Sequence, residues 1–353
     1  MSLSASDHGG RWLVASSLAK KYFLYDLGSD SSKPRDLFDP GNTKDCLTSF
    51  TLWLDTAKEN LCFRIATWKG SSPKERGQAT RTRVYEVSIL ESEGSVSVSV
   101  KSVYETRGYF HGLQRLSIAL SAENMVDAWV EDRMDIPKWT LRLCHYSRQN
   151  DYGPLADDAV VTVGAADDFS VKQVFITSEG QVAVVGIQCI VIYSISQLRE
   201  SNKQVALPLH RINLICSSAS IAAPFSSRGF DWMIVSQRDE FWLIRLARGA
   251  SNPPKVVTLG RNPRSRGEGW FPGLVGRDAA LAMYCYWTMK IITYSWDSET
   301  TQCKFNIKRV RIPDTARPAR LINIGLDMIE GRLVFLDASK SSCIILDTIT
   351  ETL

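Results

Sequence analysis

The sequence has no run of eighteen apolar residues, the length a membrane-crossing helix needs. The segment from Met1 to Trp12 lacks the basic start and apolar stretch of a secretory signal. No Asn-x-Ser/Thr acceptor occurs, so nothing marks a glycosylated extracellular chain. None of the eight cysteines forms a C-x-x-C pair, and most sit inside apolar runs such as Tyr284-Cys285-Tyr286 and Cys343-Ile344-Ile345. They read as reduced, buried thiols, which places the chain in the cytoplasm or nucleus. Histidine is scarce: His8, His111, His145 and His210 show none of the spacings of a zinc site. No G-x-S-x-G elbow, P-loop or dinucleotide fingerprint is present, so no cofactor and no enzymatic reaction is expected. Net charge is only +4, from 42 Lys+Arg against 38 Asp+Glu, too mild to imply nucleic acid. Apolar residues seldom recur at three- and four-residue spacing, which argues against a helical fold.

What the 353 residues do contain is a repeat. Short runs rich in Val, Ile, Tyr, Trp and Phe, bounded by Gly, Asp, Ser and Asn, read as strands and turns. One kind recurs seven times: Phe23-Leu27, Val84-Ile89, Leu141-Tyr146, Ile190-Ile195, Phe241-Leu246, Ile291-Trp296 and Cys343-Thr348. The starts lie 61, 57, 49, 51, 50 and 52 residues apart. A period near 50 residues holding several short strands is that of a β-propeller blade, whereas leucine-rich and ankyrin solenoids repeat at roughly 20–35. The expected fold is therefore all-β: a single β-propeller spanning residues 1–353, with seven blades preferred over six. The two long early intervals reflect insertions such as Gly70-Thr80, polar and marked by Gly and Pro.

The units share an internal order. One unit runs Val171-Thr177, Gln181-Val185 and Cys189-Ile195, separated by Gly-containing turns. Another has four strands: Cys46-Asp55, Leu61-Trp68, Thr82-Leu90 and Val96-Tyr104. The runs Val182-Gly186 and Leu281-Trp287 are continuously apolar, as strands covered on both faces should be. The first unit has no room for an innermost strand and the last none for an outermost one. One terminal blade, that of Leu333-Leu336 and Ile344-Leu346 or that of Trp12-Val14, is thus expected to be short of at least one strand; either Met1-Ala5 supplies a short closing strand or residues 1–9 are a truncated or disordered N-terminus.

The remaining polar features read mainly as structure. Asp157-Asp158 and Asp167-Asp168 do not fit a calcium loop. Trp296-Asp297 ends a third strand where WD repeats carry that pair, but no unit has the partnering Gly-His, so the repeat is WD40-like yet degenerate. Three basic segments stand out: Lys74-Arg83, Arg261-Arg266 and Lys308-Arg320. Trp270 follows the second, and an Arg beside an exposed aromatic is a plausible protein-contact feature. Arg264, Arg266 and Trp270 are the candidate partner-binding residues, set against the plainer reading of a solvated loop.

With those residues in view, the chain resembles the propeller-like region of fungal, mushroom-type F-box proteins. The resemblance rests on Gly9-Val14, Phe23-Leu27, Arg83-Val87, Gln114-Leu120, Gly331-Val334 and Ile344-Asp347. It implies a substrate-recognition region of a ubiquitin ligase subunit. In that family a Leu-Pro-x-Glu-type F-box binds a Skp-type adaptor, and no such box lies before Gly9. Adaptor binding is thus expected only if an F-box exists upstream. The expected function is a non-catalytic protein-interaction module, with a protein partner and neither nucleic acid nor membrane. A propeller lectin or glycan-binding protein is the alternative, since Trp-rich propellers bind sugars by stacking.

Overall fold

The computed structural model describes residues 12–16, 22–26, 35–38, 48–55, 57–69, 80–92, 95–108, 113–131, 138–146, 159–163, 171–201, 205–214, 220–221, 224–227, 230–237, 240–246, 252–261, 269–275, 278–285, 288–296, 303–311, 321–327, 332–337 and 342–347. Almost all of them are strand, arranged as consecutive antiparallel meanders. The first is β1 (Trp12–Ser16), β2 (Tyr22–Asp26) and β3 (Arg35–Phe38). The second is β4 (Thr48–Leu54), β5 (Cys62–Lys69), β6 (Thr80–Ser92) and β7 (Ser95–Gly108). The third is β8 (Leu113–Leu120), β9 (Asn124–Glu131), β10 (Lys138–His145) and β11 (Ala159–Val163). The fourth is β12 (Gln173–Ile176), β13 (Gln181–Val185), β14 (Cys189–Ser194) and β15 (His210–Asn213), with helix α1 (Ile195–Glu200) after β14.

In the fifth, β16 (Ser220–Ile221) and β17 (Phe225–Ser227) both pair with β18 (Phe230–Gln237), followed by β19 (Glu240–Leu246) and β20 (Lys255–Arg261). The sixth is β21 (Gly269–Val275), β22 (Asp278–Cys285), β23 (Thr288–Trp296) and β24 (Cys303–Arg311). The seventh is β25 (Leu321–Asp327), β26 (Arg332–Asp337) and β27 (Ser342–Asp347).

Each of the seven recurring apolar runs falls on a strand of a different sheet: β2, β6, β10, β14, β19, β23 and β27. The physical reason is visible in the fourth sheet. Gln181–Val185 is buried at every position, because neighbouring sheets cover both faces and no polar side is left. Among the described residues the first and last sheets have three strands each; residues 1–9 and 348–353, on which the expectation of a missing strand turns, lie outside the described residues. One detail differs from the sequence reading. Ile195 opens α1 rather than closing a strand; Ile195 and Leu198, three apart, point inward. The first strand of the fifth sheet is split into β16 and β17, in a stretch too rich in Ser and Ala to carry a strand pattern.

The core is a series of layers between sheets rather than one centre. Trp12, Val14, Tyr22 and Leu24 pack on Phe63, Ile65, Val87 and Ile89, joining the first sheet to the second. Ala66 and Val84 meet Ile118, Leu120, Met125 and Cys144, joining the second to the third. Val126, Leu141 and Val161 meet Val174, Val182 and Val191, joining the third to the fourth. Ala183, Val185 and Ile190 meet Met233, Val235 and Ile244, joining the fourth to the fifth. First strands also run beside one another: β8 touches β4 and β12, and β21 touches β16 and β25. Burying each such aliphatic side chain contributes roughly 1.5–3 kcal/mol, so these layers dominate the stability.

Candidate partner-binding surface

Of the residues singled out from sequence, Arg264 and Arg266 lie outside the described residues. Trp270 is the second residue of β21, its backbone opposite Met283 of β22. It is therefore part of a sheet, not of the loop before it.

A different surface emerges at the outer edges of the third and fourth sheets. Strand β11 alternates: Ala159, Val161 and Val163 point into the core, and Val160 points out. The chain returning from α1 runs parallel beside this edge, with Val205 opposite Thr162. The Ala206 N–H donates to the Thr162 carbonyl at 3.3 Å. Alternation in the extended segment then decides which side chains are wet. Ala206 is buried with Leu198 and Val163, while Val205 and Leu207 on either side of it face solvent. Val160 is 40% exposed, Val205 59% and Leu207 80%. Three large aliphatic side chains are thus exposed on β11 and on the segment bridged to it. Sequence reasoning passed over Val205-Ala206-Leu207-Pro208, a short stretch indistinguishable in composition from any apolar strand end.

Polar side chains do something else: they tie neighbouring sheets at the end where first strands turn into second strands. The Asp231 carboxylate on β18 accepts from Ser178 N–H at 2.8 Å, from Ser178 Oγ at 2.7 Å and from Ser226 Oγ. Ser178 sits in the turn between β12 and β13, so this carboxylate locks the fifth sheet to the fourth. That turn needs Gly180, whose φ of +69° lies in the left-handed region. Arg64 on β5 is clamped between the Trp53 and Tyr146 rings, 5.4 and 5.1 Å from their centroids. It pairs with Glu86 Oε2 at 3.1 Å and donates to the Ser121 carbonyl at 3.3 Å and to the Ala122 carbonyl. Arg199 of α1 donates to Asn124 Oδ1 at 2.7 Å. His145 Nε2 lies 3.5 Å from Glu123 Oε2, at the surface end of β10. Burial pushes the Tyr146 phenol well above its usual range, consistent with a packing role.

Among the described residues no three His, Cys, Asp or Glu side chains converge as metal ligands would. No described helix is long and apolar enough to cross a membrane.

No family model matches the sequence, and no curated protein does either. Solved structures do resemble it in shape. A 6-phosphogluconolactonase candidate from Bacteroides fragilis aligns over 98% of this chain and 92% of its own, with 11% identity and a TM-score of 0.48. AztD from Citrobacter koseri aligns over 94% and 81%, with 11% identity and a TM-score of 0.47. Hsv2 from Kluyveromyces lactis aligns over 86% and 96%, with 9% identity and a TM-score of 0.40. Likenesses this distant bear on neither activity nor partner.

Proposed function

We propose that this chain is a seven-bladed β-propeller, WD40-like but degenerate, that serves as a non-catalytic protein-interaction module in the cytoplasm or nucleus. The seven consecutive meanders and the face-to-face layers between the first five support the blade count. The observation that carries the functional reading is the exposed line Val160, Val205 and Leu207. Aliphatic side chains held outward on an ordered edge are stabilised only when something apolar covers them. Covering three of them contributes several kcal/mol at roughly 1.5–3 kcal/mol each, enough to anchor a protein partner with a polar rim around it. The resemblance to F-box proteins supports a more specific form, in which the bound partner is a substrate of a ubiquitin ligase. Skp-type adaptor binding belongs to that form only with an F-box supplied upstream.

The test is a V205E/L207E double variant. Both positions face solvent, so the variant should keep its circular dichroism and melting temperature. Quantitative affinity enrichment from the native cells identifies proteins bound to the wild type, and each is then purified and titrated. A partner whose Kd rises at least about tenfold in the variant supports the reading. Partners that bind both forms equally would sink it.

A further inference from the structure

From Phe241 to Gly267 the chain carries Arg245, Arg248, Lys255, Arg261, Arg264 and Arg266 and no Asp or Glu, although acids and bases nearly balance over the whole sequence. This stretch contains β19 and β20, and β20 is the last strand of its sheet, paired only with β19 among the described strands. Arg245 and Lys255 stand directly opposite each other across the two strands. Like charges in that position repel. Among the described residues neither is paired with a carboxylate. The Arg245 guanidinium lies instead 4.6 Å from the Phe230 ring centroid, and Phe230 meets Trp232 edge-on with centroids 6.0 Å apart. The ring holds the cation in place without neutralising it. Lys255 is exposed. Val256 beside it lies opposite Ile244, which packs toward the fourth sheet, so Val256 belongs to the other face; it is 41% exposed. The edge of β20 thus combines main-chain groups that meet no further described strand, two cations on one face and an aliphatic side chain on the other. The other outer edges differ: Ala206 bonds to β11, and β7 turns out serines.

We propose that the outer edge of β20 binds an extended acidic segment of a partner protein, one that alternates carboxylate and apolar side chains. The segment adds a strand beside β20, its main chain hydrogen-bonding to the edge. Side chains of an extended strand point to alternate faces, so its carboxylates meet Lys255 and Arg245 while its apolar groups lie against Val256. The carboxylates relieve the repulsion that Arg245 and Lys255 carry in the chain alone. The surrounding run of cations speeds the encounter with an acidic partner. Nucleic acid and anionic lipid also answer positive charge, but neither brings the peptide groups that pair with a strand edge. The site is separate from the exposed Val160, Val205 and Leu207, and either surface can fail without the other.

The experiment titrates the full chain into a short fluorescent peptide of alternating Glu and Val and reads anisotropy. The same peptide with Gln for Glu, and the same peptide N-methylated at every second residue, test the charge and the strand pairing separately. Each should raise Kd at least about tenfold. K255E places a carboxylate opposite Arg245, so its melting temperature should equal or exceed that of the wild type while its Kd for the peptide rises at least about tenfold. V205E/L207E should bind the peptide as the wild type does. Phosphatidylserine vesicles and a single-stranded oligonucleotide serve as the competing anions. No saturable peptide binding, binding indifferent to N-methylation or to K255E, or tighter binding of the vesicles or the oligonucleotide would overturn the proposal.

Discussion

A single carboxylate carries one seam of this molecule. Asp231 is buried and accepts three hydrogen bonds from two serines on two sheets. Removing it breaks the tie between the two sheets, although the exposed Ser178 can turn its N–H and hydroxyl to water. D231A should lower the unfolding free energy by about 1–2 kcal/mol in a urea titration, and D231N by less, because the amide oxygen still accepts. Tyrosines report at the same scale. Burial raises the phenols of Tyr22, Tyr146 and Tyr193 above the ordinary value of 10.0, with Tyr85 adding to the effect at Tyr22. Below that pH both folded and unfolded chains keep these protons, and stability is unaffected. Above it the unfolded chain releases them while the folded chain does not, so stability falls as pH rises. The melting temperature should hold steady to about pH 9 and drop beyond about pH 10, and tyrosinate absorbance from these three should appear only with unfolding.

At the scale of elements, the Arg64 clamp and the long hairpin β6–β7 invite separate tests. Arg64 touches a carboxylate, two rings and two carbonyls across a sheet boundary. R64M keeps the length of the side chain but abolishes those bonds. Hydrogen exchange should rise in Ser121–Asn124 while the β12–β15 sheet stays protected. Strand β7 pairs only with β6 among the described strands, and its outer face alternates Ser95, Ser97 and Ser99 with no charge until Lys101. Arg35 of β3 donates to the Val96 carbonyl at 2.6 Å and puts one cation on the start of this edge; an edge strand with so little charge along it favours aggregation. S97K/S99K should reduce light scattering on heating and change stability by no more than about 0.5 kcal/mol. Elements were also where the sequence was most legible. Strands covered on both faces, such as Val182–Val185, announce themselves as unbroken apolar runs. Helix α1 did not, since six residues hold too few turns to show a period. Arg64 was equally silent, because a lone cation in a strand looks like surface until the facing sheet is known.

Across the whole molecule, stability should be graded rather than uniform. The fourth sheet is packed on both sides by described neighbours, and β13 is buried throughout. Amides of Val182–Val185 should exchange most slowly, and those of the three-stranded first sheet sooner. Equal protection in the two would show that the layers do not act as separable units. The succession of antiparallel meanders was legible because the same apolar strand recurs along the chain, whereas the exposed apolar edge was not. Val205 and Leu207 become conspicuous only when Ala206 between them is seen to turn inward. The ties between units have a consequence for how such chains diverge. Arg64 reaches main-chain oxygens of Ser121 and Ala122, and the exposed Ala122 side chain takes no part in the tie. Position 122 is then free to drift while position 64 is held. These two residues, joined across a unit boundary, would therefore leave no correlated substitutions, and a map of contacts inferred from covariation would miss this tie while still marking the apolar layer beside it.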